Sequence, residues 1–156
     1  LLLMNRFSRQ AFTLVDIMIV VVIIGLLAAI AIPAFSLVRQ NSENTRFMSD
    51  LRTFKDALVM CVLETGDMDQ GSSSGTLSTD LSDYVSESQW LEGPSIGGKW
   101  DVEYDKSGVT LGIGVHNPSV SPDQIAKIDE RFDDGDVNTG KLRFIAGGRY
   151  YWVVEE

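Results

Sequence analysis

Two acidic features of the sequence have residue types and spacing that suit charge pairing or the binding of a cation. The first is Asp16, a carboxylate at the start of an apolar segment, since no charged residue occurs from Ile17 to Val38. The second is the run DDGDVNTG from Asp133 to Gly140, in which side-chain oxygens recur at alternate positions. An ionisable group in an apolar layer is costly unless it is paired, and a row of oxygen ligands suits a hard cation.

Other reactive side chains are scarce. The chain has one histidine, His116, and one cysteine, Cys61, which is too few for a His/Cys metal site within it. A disulfide within the chain is excluded for the same reason. The paired glycines at 97–98 and 147–148 lack the spacing of a phosphate-binding loop. We therefore predict that the protein is not an enzyme.

The uncharged segment from Ile17 to Val38 predicts a membrane-spanning helix, because about 20 apolar residues cross the hydrocarbon core of a bilayer. Arg6 and Arg9 precede this segment, and the chain that follows it is acidic. Positively charged residues favour the cytoplasmic side of a membrane. We therefore expect a single-pass protein with its N-terminus in the cytoplasm and its head outside.

The sequence AFTLVDIMIVVVIIGLLAAIAIPAF, residues 11–35, resembles the N-terminal cleavage and methylation segment of type IV pilins and type II secretion pseudopilins. In that family a prepilin peptidase cuts after a small residue and methylates the new N-terminus. The resemblance implies cleavage between Ala11 and Phe12 and methylation of Phe12. It also implies an assembly charge at Asp16 and a helix kink at Pro33. Ala11 stands where the family usually has Gly, and Asp16 where it usually has Glu.

This resemblance implies three regions: a leader peptide at 1–11, a transmembrane and assembly helix at 12–38, and an extracytoplasmic α+β head at 39–156. The head includes the second half of the long helix. Met4 is then the expected start of the protein. An uncleaved signal anchor remains the open alternative to a processed leader, whereas a secretory signal peptide would carry its apolar region before the cleavage site.

The implied function is that of a structural subunit of a type IV pilus-like or type II secretion pseudopilus filament in the bacterial inner membrane. Its implied partners are prepilin peptidase, the membrane, and like or related pilin subunits. Cleavage would free an amine at Phe12, and the amine of one subunit could neutralise Asp16 of its neighbour. The alternative function is a membrane-tethered extracytoplasmic binding module that does not polymerise.

Composition restricts the partners and the size of the head. The 156 residues include 13 basic and 22 acidic side chains, for a formal net charge of −9. Binding to nucleic acid requires clustered Lys and Arg, so no nucleic-acid partner is predicted. A chain of this length accommodates one membrane span and one small head, and it is too short for two domains with substantial cores.

The elements that position these residues follow from periodicity and from capping residues. Beyond Pro33, apolar residues recur in steps of three and four, which predicts that one long helix continues with an amphipathic second half and ends at Gly66. A short helix is expected over residues 79–91. Alternating strands predict hairpins at 99–105 with 109–115 and at 141–146 with 149–154, and Ser121-Pro122 begins a helix between them. The predicted fold is α+β: a long kinked N-terminal helix packed on a small antiparallel sheet.

The Asp-rich run supplies a candidate calcium site. Asp134, Asp136 and Asn138 alternate oxygen ligands as at the start of a calcium-binding loop. The resemblance to major pseudopilins, which use calcium in a loop of the C-terminal sheet, favours this hypothesis. However, the glycine comes one residue later than in an EF-hand, and no Glu closes the loop. A solvated turn between a helix and a strand is therefore an equally open alternative.

Overall fold

A computed structural model describes residues 12–66, 73–106 and 108–155 of the chain. The predicted leader, with Ala11, lies outside these residues. The elements in chain order are α1 (Leu14–Thr65), a 3₁₀ turn (Leu81–Asp83), α2 (Glu87–Glu92), β1 (Lys99–Lys106), β2 (Val109–His116), α3 (Pro122–Phe132), β3 (Leu142–Phe144) and β4 (Arg149–Glu155).

The predicted long helix is confirmed, because α1 runs without a break for 52 residues. Pro33 lies inside α1, and the helix continues on both sides of it. A kink at this position stays a prediction. The helix ends at Thr65 and is followed by Gly66, whose N–H donates to the carbonyl of Val62 at 2.9 Å and whose φ is +74°. Glycine adopts this left-handed conformation at little cost, which makes it a common residue after a helix.

The chain forms two compact units, which divide within α1 between Gln40 and Asn41. In the first unit, α1 exposes large apolar side chains from Leu14 to Val38. Among the described residues, α1 is the helix that is long and apolar enough to cross a membrane, and its apolar stretch is not buried. Exposure of such a surface is typical of a segment that is covered by lipid or by other helices.

In the second unit, α1 packs against the sheet through aromatic side chains. The rings of Phe47 and Trp100 are stacked with centroids 5.7 Å apart, and Phe54 meets Trp100 edge-on at 4.9 Å. The three-and-four spacing predicts an apolar face of Phe47, Leu51, Phe54, Leu58 and Cys61 or Val62, and it is confirmed. The first five are buried, and Val62 packs partly buried against the same core. Burial of these side chains is what holds the helix on the sheet.

The sheet has four antiparallel strands in the order β1-β2-β4-β3. Both predicted hairpins are confirmed, and the α+β fold class with them. The strand order adds that the second hairpin joins the first through β4, so that β3 lies at one edge. One face of the sheet contributes Trp100, Ile113 and Leu142 to the core.

The single helix predicted over residues 79–91 is wrong. The structure has a 3₁₀ turn at Leu81–Asp83 and the short helix α2 instead. Leu81, Val85 and Trp90 are all buried in the core. At about 100° per residue, one straight helix would put Trp90 on the side opposite Leu81, so the chain must break for all three to be buried.

Candidate functional site

Asp16 caps the start of α1. The backbone N–H and the hydroxyl of Thr13 both donate to Asp16 Oδ2, at 3.0 and 2.8 Å, and the Asp16 N–H donates back to Thr13 Oγ1 at 3.3 Å. This reciprocal arrangement is a capping box, and a carboxylate in the first helical turn also suits the positive end of the helix dipole. The predicted assembly charge therefore has a partner within its own chain. This cap could have been predicted from the sequence, because the Thr-x-x-Asp spacing of Thr13 and Asp16 is typical of a capping box.

The other residues predicted for processing and assembly lie at the same end of the chain. Phe12 precedes α1, and 77% of its surface is exposed. Ala11 falls outside the described residues, so the geometry of the predicted cleavage site is not described. Pairing between Asp16 and the amine of a neighbouring subunit stays a prediction, as do the cleavage and methylation themselves.

The three predicted calcium ligands lie in one hydrogen-bonded turn. Asp134 Oδ1 accepts from the Asp136 N–H at 3.0 Å, and Asp136 Oδ1 accepts from the backbone and side-chain amides of Asn138 at 3.0 and 2.7 Å. Asp134 Oδ2 also accepts from the Thr139 hydroxyl at 2.8 Å. The Asp136 amide and the Thr139 hydroxyl hold the pKa of Asp134 below its usual range. These bonds are those of an ordinary Asp-rich turn, and calcium binding by this set stays a prediction.

A different set of carboxylates converges beside this turn. Carboxylate oxygens of Asp129, Asp133 and Asp134 lie within 4.8 Å of one another. Asp129 is completely buried, and neither of its carboxylate oxygens has a hydrogen-bond partner among the described residues. Burial, followed by the charges of Asp133 and Asp134, raises the pKa of Asp129 to about 6.

Sequence reasoning missed Asp129, although the pattern of α3 contains a signal. Ile125, Ile128 and Asp129 are buried on the helix, and Phe132 packs against the same core. These positions follow the i, i+3, i+4, i+7 spacing of one helix face. An acidic residue on the apolar face of an amphipathic helix is unusual, because a buried carboxylate requires a partner.

The loop after α3 is tied closely to the sheet. Asp133 Oδ2 accepts from the backbone amides of Lys141 and Leu142, so this carboxylate connects the end of α3 to the start of β3. Gly140, with a φ of +67°, approaches so closely that an added Cβ would lie 2.8 Å from Cγ of Asp134. The tight approach of the backbone holds the carboxylates of Asp133 and Asp134 in place.

A second group of buried polar side chains lies on the sheet face that carries Tyr151. The Tyr151 hydroxyl is 2.5 Å from Asp101 Oδ2 and 3.0 Å from Glu103 Oε2. Arg149 Nε donates to Asp101 Oδ2 at 3.1 Å. Burial and the bond to Asp101 raise the pKa of Tyr151 above its usual range. This group connects β1 to β4 across β2 and has the character of a structural network.

Comparison with known proteins finds relatives among fimbrial proteins. The chain is 45% identical over 56 residues to the type IV major fimbrial protein FimA of Dichelobacter nodosus, which is 36% of each protein. It is 33% identical over 81 residues to the prepilin peptidase-dependent protein D of Escherichia coli, 51% of this chain and 56% of that protein. It is 42% identical over 57 residues to a fimbrial protein of Pseudomonas aeruginosa, 36% of this chain and 37% of that protein.

No family model and no solved structure matches the chain. The chain spans about a third to just over half the length of the relatives that it matches. The relatives are fimbrial proteins and one prepilin peptidase-dependent protein. The α+β fold with its long apolar helix is the fold that the resemblance to pilins implies. The resemblance of this chain to type IV pilins and pseudopilins is therefore confirmed over about a third to a half of its length.

Proposed function

We propose that the protein is a structural subunit of a type IV pilus-like or type II secretion pseudopilus filament. The observation that carries this proposal is the exposed apolar surface of α1 from Leu14 to Val38, in a chain that is similar to type IV major fimbrial proteins. Before assembly, lipid would cover this surface, and in a filament the apolar helices of other subunits would cover it. The same residues then serve both states.

Processing is the first step of the proposed route. Prepilin peptidase would cut between Ala11 and Phe12 and methylate Phe12, and one relative is itself named as prepilin peptidase-dependent. The leader at 1–11 would be removed, residues 12–38 would form the transmembrane and assembly helix, and residues 39–156 would form the extracytoplasmic head. Before cleavage, Arg6 and Arg9 in the leader would orient insertion into the inner membrane with the head outside.

Asp16 is the proposed assembly charge. Two donors of Thr13 share one oxygen of its carboxylate, and the carboxylate stands at the start of the exposed apolar surface. The positively charged amine of a processed neighbour would neutralise this carboxylate where the surroundings are apolar and an unpaired charge is expensive. Asp16 would thereby select the stagger between neighbouring subunits.

The test replaces Asp16 in cells that make the filament. Asp16→Ala is expected to reduce the amount of subunit in sheared filaments by about tenfold or more, because a lost charge pair of about 1.4 kcal/mol already changes an equilibrium tenfold. Asp16→Glu is the matched variant that restores the carboxylate and should assemble. Asp80→Ala, in the head, controls for the loss of an acidic residue in general.

Two results would contradict the proposal. Assembly of Asp16→Ala at the level of the unaltered protein would remove the assembly role and would favour a tethered binding module that does not polymerise. A mature protein whose mass retains residues 4–11 would instead contradict processing at Ala11. Mass spectrometry of the membrane-bound protein therefore accompanies the filament measurement.

A further inference from the structure

A groove on the head collects positive charge in a chain that is acidic overall. The groove has a volume of about 340 Å³, and residues of α1, α3, β4 and the loop before β3 line it. Three basic and two aromatic side chains define this basic groove: Arg52, Lys55, Lys141, Phe132 and Trp152. The chain has 13 basic residues against 22 acidic ones, so the groove is a local excess of positive charge.

Two cations of the basic groove are held by aromatic rings. The guanidinium carbon of Arg52 is 5.5 Å from the centroid of the Phe132 ring, and Nζ of Lys141 is 6.0 Å from that of the Trp152 ring. Neither cation is in an ion pair with another residue that the structure describes. Because the rings already position these charges, an anion that enters the groove has little ordering cost to overcome.

The two carboxylates that also line the groove have other partners. Asp56 pairs with Lys55 at 2.7 Å. Asp133 accepts hydrogen bonds from the backbone amides of Lys141 and Leu142. The two cations held by rings therefore still require negative charge from outside the groove.

Acidic residues are concentrated in a different part of the head. Residues 57–98 contain seven acidic side chains and no Lys or Arg. Asp83 and Glu87 in this stretch are exposed, and no ion pair includes either of them within the described ranges. Leu91 is four residues after Glu87 on α2, so the two lie on one side of the helix, and 65% of Leu91 is exposed. Asp83, Glu87 and Leu91 define the acidic surface.

The basic groove and the acidic surface lie on opposite sides of α1. On one side, Arg46 of α1 donates to Glu92 of α2 at 2.9 Å, whereas Lys55 of α1 lines the groove. Positions 46 and 55 are nine residues apart, and about 100° per residue places them about 180° apart around the helix axis. The two surfaces therefore do not meet within one chain.

We propose that the basic groove of one subunit binds the acidic surface of a second copy of this chain. Asp83 and Glu87 would compensate the two cations held by rings, and Leu91 would lie against the aromatic side chains of the groove. Because the two surfaces differ and face opposite ways, each copy can bind one neighbour on either side, which allows an open row rather than a closed pair. The proposal rests on the proposed function, since a filament is such a row, and it adds the contact between heads.

The test is a charge swap in cells that make the filament. Arg52→Glu with Lys141→Glu should reduce the subunit in sheared filaments by about tenfold, because repulsion replaces two exposed ion pairs. Asp83→Lys with Glu87→Lys should do the same. The chain with all four changes should recover most of the loss, because each pair is restored with opposite sign. Lys127→Glu, at an exposed position of α3 outside the groove, is the matched control and should assemble normally.

Cross-linking identifies the contact directly. Filaments that contain chains labelled with light and with heavy nitrogen are treated with a carbodiimide, which joins a lysine amine to a carboxylate in contact with it. Mass spectrometry should find Lys141 joined to Asp83 or Glu87 in products that combine both labels. A contact within one chain would give products with one label only, and such a result would contradict the proposal.

The outcomes separate this contact from the proposed function. Normal assembly of both charge-reversed chains would remove the contact between heads and leave the proposed function in place, since Asp16→Ala tests that function independently. Loss of assembly in the chain with all four changes, with its fold intact by circular dichroism in detergent, would show that the two surfaces do not pair. If the groove variant does not fold, the variant of the acidic surface and the cross-link still decide the matter. A chain that forms no filaments contradicts both proposals.

Discussion

At the scale of single residues, two buried carboxylates share the hydroxyl of Tyr151 as a hydrogen-bond donor. Asp101 and Glu103 are 5% and 9% exposed, and both lie within hydrogen-bond distance of that hydroxyl. A hydroxyl carries one proton, so only one carboxylate can receive it fully at a time. Arg149 compensates Asp101 through its guanidinium. The stability of this group therefore depends strongly on Tyr151.

Tyr151→Phe should lower the free energy of unfolding by about 1–3 kcal/mol, because it removes the buried hydroxyl that both carboxylates share and replaces it with an apolar edge. Urea unfolding of the full chain in detergent, followed by circular dichroism, measures this change. Tyr150→Phe removes the hydroxyl of the neighbouring half-buried tyrosine and should cost about 0.5 kcal/mol or less. Equal costs for the two variants would contradict the importance of the Tyr151 bonds.

A second tyrosine makes a pH-dependent contact on the surface of the head. The Tyr84 hydroxyl donates to Glu64 Oε2 at 2.5 Å, and this bond raises the pKa of Tyr84 to about 12. Because the folded-state pKa lies above the ordinary value of 10, the contribution of this contact is fully present below pH 10. It is then lost as the pH rises through about 12.

Glu64→Gln should move the ionisation of Tyr84 back toward its ordinary value, because the acceptor is no longer negatively charged. Alkaline titration followed by the ultraviolet absorbance of tyrosinate measures this shift. Tyr84→Phe identifies which part of the curve belongs to Tyr84. Superimposable titration curves for Glu64→Gln and the unaltered protein would exclude the contact.

At the scale of elements, β2 has a glycine, Gly114, where the backbone of β4 approaches it closely. Gly114 is paired with both Asp101 of β1 and Tyr151 of β4. A Cβ added to Gly114 would overlap the Tyr150 carbonyl oxygen and lie 2.7 Å from Tyr151 Cα. Neither atom can move without a shift of the β4 backbone. A glycine is therefore required at this position for close contact between backbones.

Gly114→Ala should cost about 3 kcal/mol or more in unfolding free energy, because the clash is with backbone rather than with a flexible side chain. Gly112→Ala is the matched variant in the same strand. Its added Cβ would lie 3.0 Å from Val109 Cγ1, a side-chain atom that can move, so its cost should be about 1 kcal/mol. Denaturant unfolding of both variants measures the difference, and a smaller cost for Gly114→Ala would refute this explanation.

At the scale of the whole molecule, α1 has an exposed apolar surface in one compact unit and a buried apolar face in the other. Up to Gln40, α1 exposes an apolar surface that is suited to lipid or to neighbouring helices. From Asn41, α1 buries Phe47, Leu51 and further residues in the core of the head. The proposed filament subunit would need both properties, because one part of the helix would change its surroundings while the other keeps the head folded.

Local sequence patterns were sufficient for the elements. The uncharged segment after Asp16 and the three-and-four spacing around Phe47 predicted α1, and Ser121 predicted the start of α3. Alternation of polar and apolar residues predicted both hairpins. These patterns can be read from sequence because helix faces, caps and hairpins depend on residues that are close together in the chain.

Only the tertiary structure decided which of these elements meet. The insertion of β4 between β2 and β3, and the reach of Tyr151 to Asp101, join residues far apart in the chain. The convergence of Asp129 with Asp133 and Asp134 also depends on the course of the loop after α3 and on the burial of the helix face. The sequence by itself determined the long apolar helix, the class of the fold and the resemblance to pilins. Packing decided where buried charges lie, because burial depends on long-range contacts that local patterns do not specify.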